Sequence, residues 1–346
     1  MKNSKAILQV PGTMKIISAE IPVPKEDEVL IKVEYVGICG SDVHGFESGP
    51  FIPPKDPNQE IGLGHECAGT VVAVGSRVRK FKPGDRVNIE PGVPCGHCRY
   101  CLEGKYNICP DVDFMATQPN YRGALTHYLC HPESFTYKLP DNMDTMEGAL
   151  VEPAAVGMHA AMLADVKPGK KIIILGAGCI GLMTLQACKC LGATEIAVVD
   201  VEKRLAMAEQ LGATVVINGA KEDTIARCQQ FTEDMGADIV FETAGSAVTV
   251  KQAPYLVMRG GKIMIVGTVP GDSAINFLKI NREVTIQTVF RYANRYPVTI
   301  EAISSGRFDV KSMVTHIYDY RDVQQAFEES VNNKRDIIKG VIKISD

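Results

Sequence analysis

Lys171-Ile-Ile-Ile-Leu-Gly-Ala-Gly-Cys-Ile-Gly181 joins a short apolar run to a Gly-x-Gly-x-x-Gly turn. Such a run, bounded by a turn, reads as a strand buried on both faces of a parallel sheet. Gly176 permits a tight turn, Gly178 lets a pyrophosphate approach the backbone, and Gly181 lets the following helix pack closely on the strand. Cys179 and Ile180 open that helix, and its N-terminus faces the phosphates. The next apolar strand, Ile196–Asp200, ends on a carboxylate suited to ribose hydroxyls. A carboxylate there repels a 2′-phosphate, so NAD is expected rather than NADP, although Lys203 and Arg204 stand close by.

Working outward, strand and helix patterns alternate: helix Ile180–Leu191, helix Lys203–Leu211, strand Val215–Ile217, a polar helix near 225–235, strand Ile239–Glu242 and strand Lys262–Val266. This alternation predicts a doubly wound parallel sheet. Leu-Gly-Ala-Thr occurs at 191–194 and 211–214, each time after a helix, where Gly supplies a left-handed cap. From about Ala6 to Ile89 the texture is different, with short β-branched runs cut by turns such as Lys82-Pro-Gly-Asp. An amphipathic helix is expected over Met146–Ala164, and the βα rhythm fades after about Thr285. The tail, with a helix near Asp322–Val331 and a strand Gly340–Ile344, is expected to rejoin the N-terminal part. The predicted domains are therefore 1–152 with 287–346, and an inserted 153–286.

Bulk properties narrow the function. At 346 residues, 45% hydrophobic and 23% charged, the chain suits two packed domains. A net charge of −4 and a pI near 6.0 disfavour nucleic acid as a partner. No secretion signal or spanning apolar segment is apparent, so a cytoplasmic protein without membrane partners is expected. Eleven cysteines, several at CxxC spacing, argue for metal ligands over disulfides in a reducing compartment.

Cys95, Cys98, Cys101 and Cys109, within 91–110, can converge on a tetrahedral Zn²⁺ as a closed structural site. Upstream, Gly37-Ile-Cys-Gly-Ser-Asp-Val-His44 and Gly62-Leu-Gly-His-Glu66 offer Cys39, His65 and Glu66. A thiolate, an imidazole and a carboxylate can hold a catalytic Zn²⁺ with a position left open. Glu152, in Leu150-Val-Glu-Pro, is an alternate ligand or an outer partner of that ion. Such a cation would shift a bound hydroxyl's pKa from about 16 toward about 7. His127, His131, His159 and His316, and the thiols of Cys130, Cys179, Cys188, Cys190 and Cys228, fit packing positions.

With GICGSDVH, GHE, the four-cysteine lobe, VEPAAVGMHA, GAGCIG and Phe290-Arg-Tyr-Ala-Asn-Arg-Tyr-Pro297, the chain resembles the zinc-dependent medium-chain dehydrogenases over essentially its whole length. It is most similar to their sorbitol, iditol and xylitol branch, where Glu follows the ligand His. The resemblance implies a GroES-like β-rich catalytic domain with an inserted Rossmann domain, an α/β fold. It implies two zinc ions per subunit, NAD, and oxidation of a secondary hydroxyl of a polyol to a ketose. It further implies that Ser41 and His44 carry the released proton away. Arg291 is implied near the substrate, Val266 and Phe290 near the cofactor, and a homodimer or homotetramer as the assembly.

Two features depart from that branch. Gly45 follows His44 where animal sorbitol enzymes carry an aromatic residue, and Arg204 lies four residues after Asp200 rather than five. The complete four-cysteine lobe resembles microbial members. Lys55 and Arg122 leave room for a phosphorylated substrate. The competing readings are a threonine or butanediol dehydrogenase of the same superfamily, and a catalytically silent NAD-binding sensor or crystallin-like protein.

Overall fold

The structure, a computed structural model, describes residues 3–344. The chain forms two compact units. One comprises residues up to Glu152, Tyr296–Ser304 and those from Val310 onward; the other comprises Pro153–Arg295 and Ser305–Asp309.

In the first unit a largely antiparallel sheet is built around Glu28–Gly37, a strand whose two bulges bend it and whose Val29, Ile31, Val33 and Val36 all enter the core. Glu66–Val74 and Tyr128–Pro132 pair with it, and Lys339–Lys343 pairs with its far end. Gly37 is thereby opposite both Glu66 and Val341, which brings three distant segments to one point. Val71, Val87, Ile89, Phe327 and Ile342 close the core beneath. The helix Gly40–Ser48 starts immediately after this junction.

The second unit is a six-stranded parallel sheet in the order Val215–Asn218, Glu195–Asp200, Lys171–Leu175, Ala237–Glu242, Val257–Ile265, Thr285–Thr288. Numbered along the chain this is 3-2-1-4-5-6, the order of a dinucleotide-binding sheet. Ile172, Ile173, Ile174 and Leu175 are fully buried, as a strand covered by helices on both faces requires. Gly192 and Gly212, with φ of 93° and 94°, end their helices in the left-handed region.

Three details differ from the sequence pattern. Lys262–Val266 is the end of a longer strand, Val257–Ile265, which lies between Ala237–Glu242 and Thr285–Thr288. The sheet runs one strand further than the fading rhythm suggests, because Thr285–Thr288 is a polar edge strand exposed at all four positions. Met146–Ala164 is two helices, Thr145–Ala149 and Val151–Leu163, and the second is buried on nearly every face rather than amphipathic. Among the described residues no helix is long and apolar enough to cross a membrane.

Close packing of that buried helix depends on Gly157, where an added Cβ would lie 2.6 Å from the Met183 carbonyl carbon. Backbone cannot yield as a flexible side chain does. Gly157→Ala should therefore cost about 1–3 kcal/mol of stability, read as an earlier urea midpoint, and an unchanged midpoint would refute this contact.

Candidate metal and dinucleotide sites

Cys39 is extended, with φ −90° and ψ 154°, and caps the helix Gly40–Ser48. Asp42 in the first turn of that helix is buried and accepts a hydrogen bond from the Cys39 N–H at 3.1 Å and another from the Gly64 N–H at 2.8 Å. Its Oδ1 also lies 3.5 Å from His65 Nδ1. One carboxylate thus fixes both the Cys39 loop and the His65 ring. This is the pattern by which a carboxylate orients a metal-binding imidazole and leaves its other nitrogen for the ion.

Glu66 begins the strand paired with Gly37 and is 1% exposed. Its Oε1 accepts a hydrogen bond of 2.7 Å from Lys339 Nζ, and its Oε2 forms an ion pair with the same ammonium. A Cβ at Gly37 would collide with this carboxylate, which explains glycine at that strand position. Cys39, His65 and Glu66 each offer a ligand atom, and these atoms lie within 4.8 Å of one another. Phe114 forms an apolar wall, its ring centroid 5.5 Å from that of His65.

The electrostatics fit a cation. Burial alone would lower the His65 imidazole, but the charges of Asp42 and Cys39 raise it well above its ordinary value. Burial would raise the Asp42 carboxyl, and the facing His65 with the Gly64 and Cys39 amides overcomes that and holds it low. A point that favours positive charge between a thiol and carboxylates suits a divalent ion. The donors are of the mixed kind that binds zinc. Neighbouring Cys67 is inert by contrast, since burial pushes its thiol up to about 12.

Glu152 lies in the first turn of Val151–Leu163, 5% exposed, and is not one of the three groups whose ligand atoms converge. Its charge is felt by Glu90, whose carboxyl is pushed up to about 7, chiefly by burial. Glu90 accepts hydrogen bonds from Tyr106 Oη at 2.7 Å and Tyr137 Oη at 2.9 Å. Ser41 and His44 are three apart on the helix Gly40–Ser48 and so share a face. His44 stacks on Phe51 with ring centroids 3.9 Å apart. Arg122 is engaged with Asp113 at 2.7 Å.

The four-cysteine lobe closes on itself. Cys98 Sγ lies 3.4 Å and Cys95 Sγ 3.9 Å from Cys101 Sγ, and Cys109 completes a group within 4.8 Å. Zn–S bonds of 2.3 Å in a tetrahedron give sulfur separations of about 3.8 Å. Backbone N–H groups of His97 and Cys98 pull the Cys95 thiol down to about 6, toward the thiolate a metal needs. Tyr106, between the last two cysteines, ties the lobe to Glu90.

In the second unit Gly176 has φ 109°, and a Cβ at Gly181 would meet Thr243 Oγ1 at 2.8 Å, so both positions need glycine. Gly178 caps the helix Cys179–Cys190. Asp200 ends its strand and accepts hydrogen bonds from the N–H groups of Ala177 and Val201. Arg204 Nη1 is 3.9 Å from Asp200 Oδ2 and reaches toward Gly178. Val266 donates its N–H to the Glu242 carbonyl, while Phe290 lies under the Arg291 guanidinium, 4.7 Å from ring centroid to Cζ. Arg291 itself has φ +50°.

Sequence reasoning missed Asp42, Glu90 and Lys339. Asp42 had a local signal, its place three residues after Cys39. Lys339 had none, for it meets Glu66 only across 273 residues of chain.

Comparison with known proteins followed the same division. The family "Alcohol dehydrogenase GroES-like domain" matches residues 25–141 and "Zinc-binding dehydrogenase" matches 179–305. Sorbitol dehydrogenase of Bacillus subtilis is 42% identical, over 97% of this chain and 96% of that protein. A solved structure of an Escherichia coli oxidoreductase/dehydrogenase of unknown specificity, involved in membrane biogenesis, is 99% identical with a TM-score of 0.99, covering 100% of both chains. The structure of 2R,3R-butanediol dehydrogenase from Bacillus subtilis is 29% identical with a TM-score of 0.90, covering 99% of this chain and 100% of that one. With a relative this close along its whole length, the chain belongs to the zinc-dependent medium-chain dehydrogenase superfamily.

Proposed function

We propose that this protein reversibly oxidises a secondary hydroxyl of a polyol to a ketose, with NAD as hydride acceptor. The convergence of Cys39, His65 and Glu66 beside Asp42 carries the reading. These three residues would hold a catalytic zinc, and Cys95, Cys98, Cys101 and Cys109 a structural one. When bound, the catalytic ion supplies Lewis acidity that makes an alcohol hydroxyl easy to deprotonate at neutral pH.

The chain's own residues do the rest. Ser41 Oγ takes the hydroxyl proton, and His44 on the same helix face passes it toward solvent. Phe51, stacked on His44, restrains that ring. Glu152, buried and charged in a helix first turn, orients the polar groups about the reacting carbon. In the second unit Gly176, Gly178, Cys179, Ile180 and Gly181 receive the pyrophosphate, with Val266, Phe290 and Arg291 completing the cofactor and substrate surfaces. Asp200 disfavours a 2′-phosphate, and Arg204 beside it moderates that preference.

The sorbitol dehydrogenase relative supports a polyol as substrate. The structural likeness to butanediol dehydrogenase keeps a short diol as the second reading. For the assembly we infer a homodimer, or a tetramer built from it, joined through the exposed edge strand Thr285–Thr288, whose unpaired backbone can continue the sheet into a second copy.

Zinc-replete protein should reduce NAD in the presence of one or more stereochemically defined sugar alcohols, and chelator-stripped protein should not. Silence across polyols, threonine and butanediol alike would overturn the assignment. Cys98→Ser should lower bound zinc from two ions to one per subunit by metal analysis; retention of both would remove the lobe as a site. Glu152→Gln should reduce kcat about 10- to 100-fold with both zinc ions kept, and full activity would exclude Glu152 from the chemistry.

A further inference from the structure

Lys339 is 2% exposed, a rare place for an ammonium. It begins the strand Lys339–Lys343 and reaches the end of Glu28–Gly37. There Nζ donates to the Ile38 carbonyl at 3.0 Å and to Glu66 Oε1 at 2.7 Å, and pairs with Oε2. Ile38 immediately precedes Cys39. One side chain therefore touches the backbone next to the thiol and the carboxylate of a second member of the same cluster. Gly37 keeps the room for this pair, since a Cβ there would strike the Glu66 carboxylate and lie 3.1 Å from Lys339 Cε.

The same carboxylate has a ligand atom within 4.8 Å of those of Cys39 and His65. It thus faces two cationic positions, the ammonium and the point between the three donors. A carboxylate shared with a buried ammonium gives less of its charge to a metal than a free one. We propose that Lys339 is a positioning residue that holds the Glu66 carboxylate back, so that it would be only a weak ligand of an ion held with Cys39 and His65. This rests on the reading of Cys39, His65 and Glu66 as the catalytic metal site. It goes beyond that reading in assigning the competitor that sets how firmly Glu66 binds.

The sign of one measurement separates this from a purely structural role. With Lys339→Met the carboxylate loses its partner, and zinc binding at this site should tighten about 10- to 100-fold, the size of effect that outer partners of metal ligands exert. The affinity is read by competition with a chromophoric chelator on folded protein whose lobe is already filled. The visible spectrum of the cobalt-substituted variant should shift, reporting a changed ligand set. Lys339→Arg, which keeps the charge, should stay near wild type in both readouts. Lys339→Gln, which retains an N–H for the Ile38 carbonyl, should follow Lys339→Met and serves if the latter does not fold. Weaker or unchanged zinc affinity with an unshifted cobalt spectrum in the charge-removing variants overturns the proposal. Should wild-type protein bind a single ion and its cobalt spectrum be untouched by Cys39→Ser, the site assignment itself falls, and this inference with it.

Discussion

The constraint on which the first unit depends is buried charge at the end of the strand Glu28–Gly37. Asp42 and Glu66 bring carboxylates into an apolar surround beside the half-buried Cys39 thiol, and Lys339 with His65 is what the protein sets against them. Ion pairs of this kind hold only when every member is satisfied, because an unpaired buried charge is far costlier than the pair is favourable. The backbone is shaped accordingly. Gly37 has no side chain where the carboxylate lies, and Asp42 takes two backbone amides from different segments. The arrangement fixes three donor atoms without using a disulfide or a long loop.

That economy explains where rigidity sits. Glu66 and Lys339 are on strands that pair with opposite edges of Glu28–Gly37, so their relative position is set by two ladders of backbone hydrogen bonds and not by side-chain rotamers alone. Cys39 and His65 are tied together by Asp42. Ser41 and His44 lie on the first turns of a helix whose start is held by the same aspartate. Ser41 is exposed and His44 half-buried, while His65 and Glu66 are buried and Cys39 is half-buried. Metal ligands must exclude water to keep their geometry, and proton carriers must meet it.

What was legible in the sequence divides along the same physical line. The four-cysteine lobe and the Gly176–Gly181 turn announce themselves because their chemistry demands close sequence spacing: four sulfurs around one ion, three glycines around one pyrophosphate. The six-stranded sheet could be read as far as Ile265 from buried apolar runs, but Thr285–Thr288 carries no such run because an edge strand does not need one. The helix Val151–Leu163 looked one-sided from its flanking residues, yet Ala154, Ala155, Ala160 and Ala161 are all buried. Small residues let a helix be enclosed without showing a stripe. Lys339 and Glu90 stayed hidden for a further reason. A lysine near a chain end and a glutamate before Pro91 are ordinary surface residues until the fold places one against Glu66 and the other between two tyrosines.

Glu90 shows how the lobe is joined to the rest of the unit. Its two oxygens each accept from a phenol, one from Tyr106 inside the cysteine loop and one from Tyr137 on the neighbouring strand, and the Tyr296 ring lies tilted against the latter with ring centroids 5.0 Å apart. Tyr296 in turn donates to the Ile89 carbonyl at 2.8 Å, closing a ring of contacts around the residue preceding Glu90. Burial pushes the Glu90 carboxyl up, and the nearby charge of Glu152 adds to that, against the opposing pull of the two hydroxyls. The four-cysteine lobe therefore bears, through Tyr106, on a carboxylate electrostatically linked to Glu152. The cysteine loop and Glu152 are thus linked through Tyr106, Glu90 and charge.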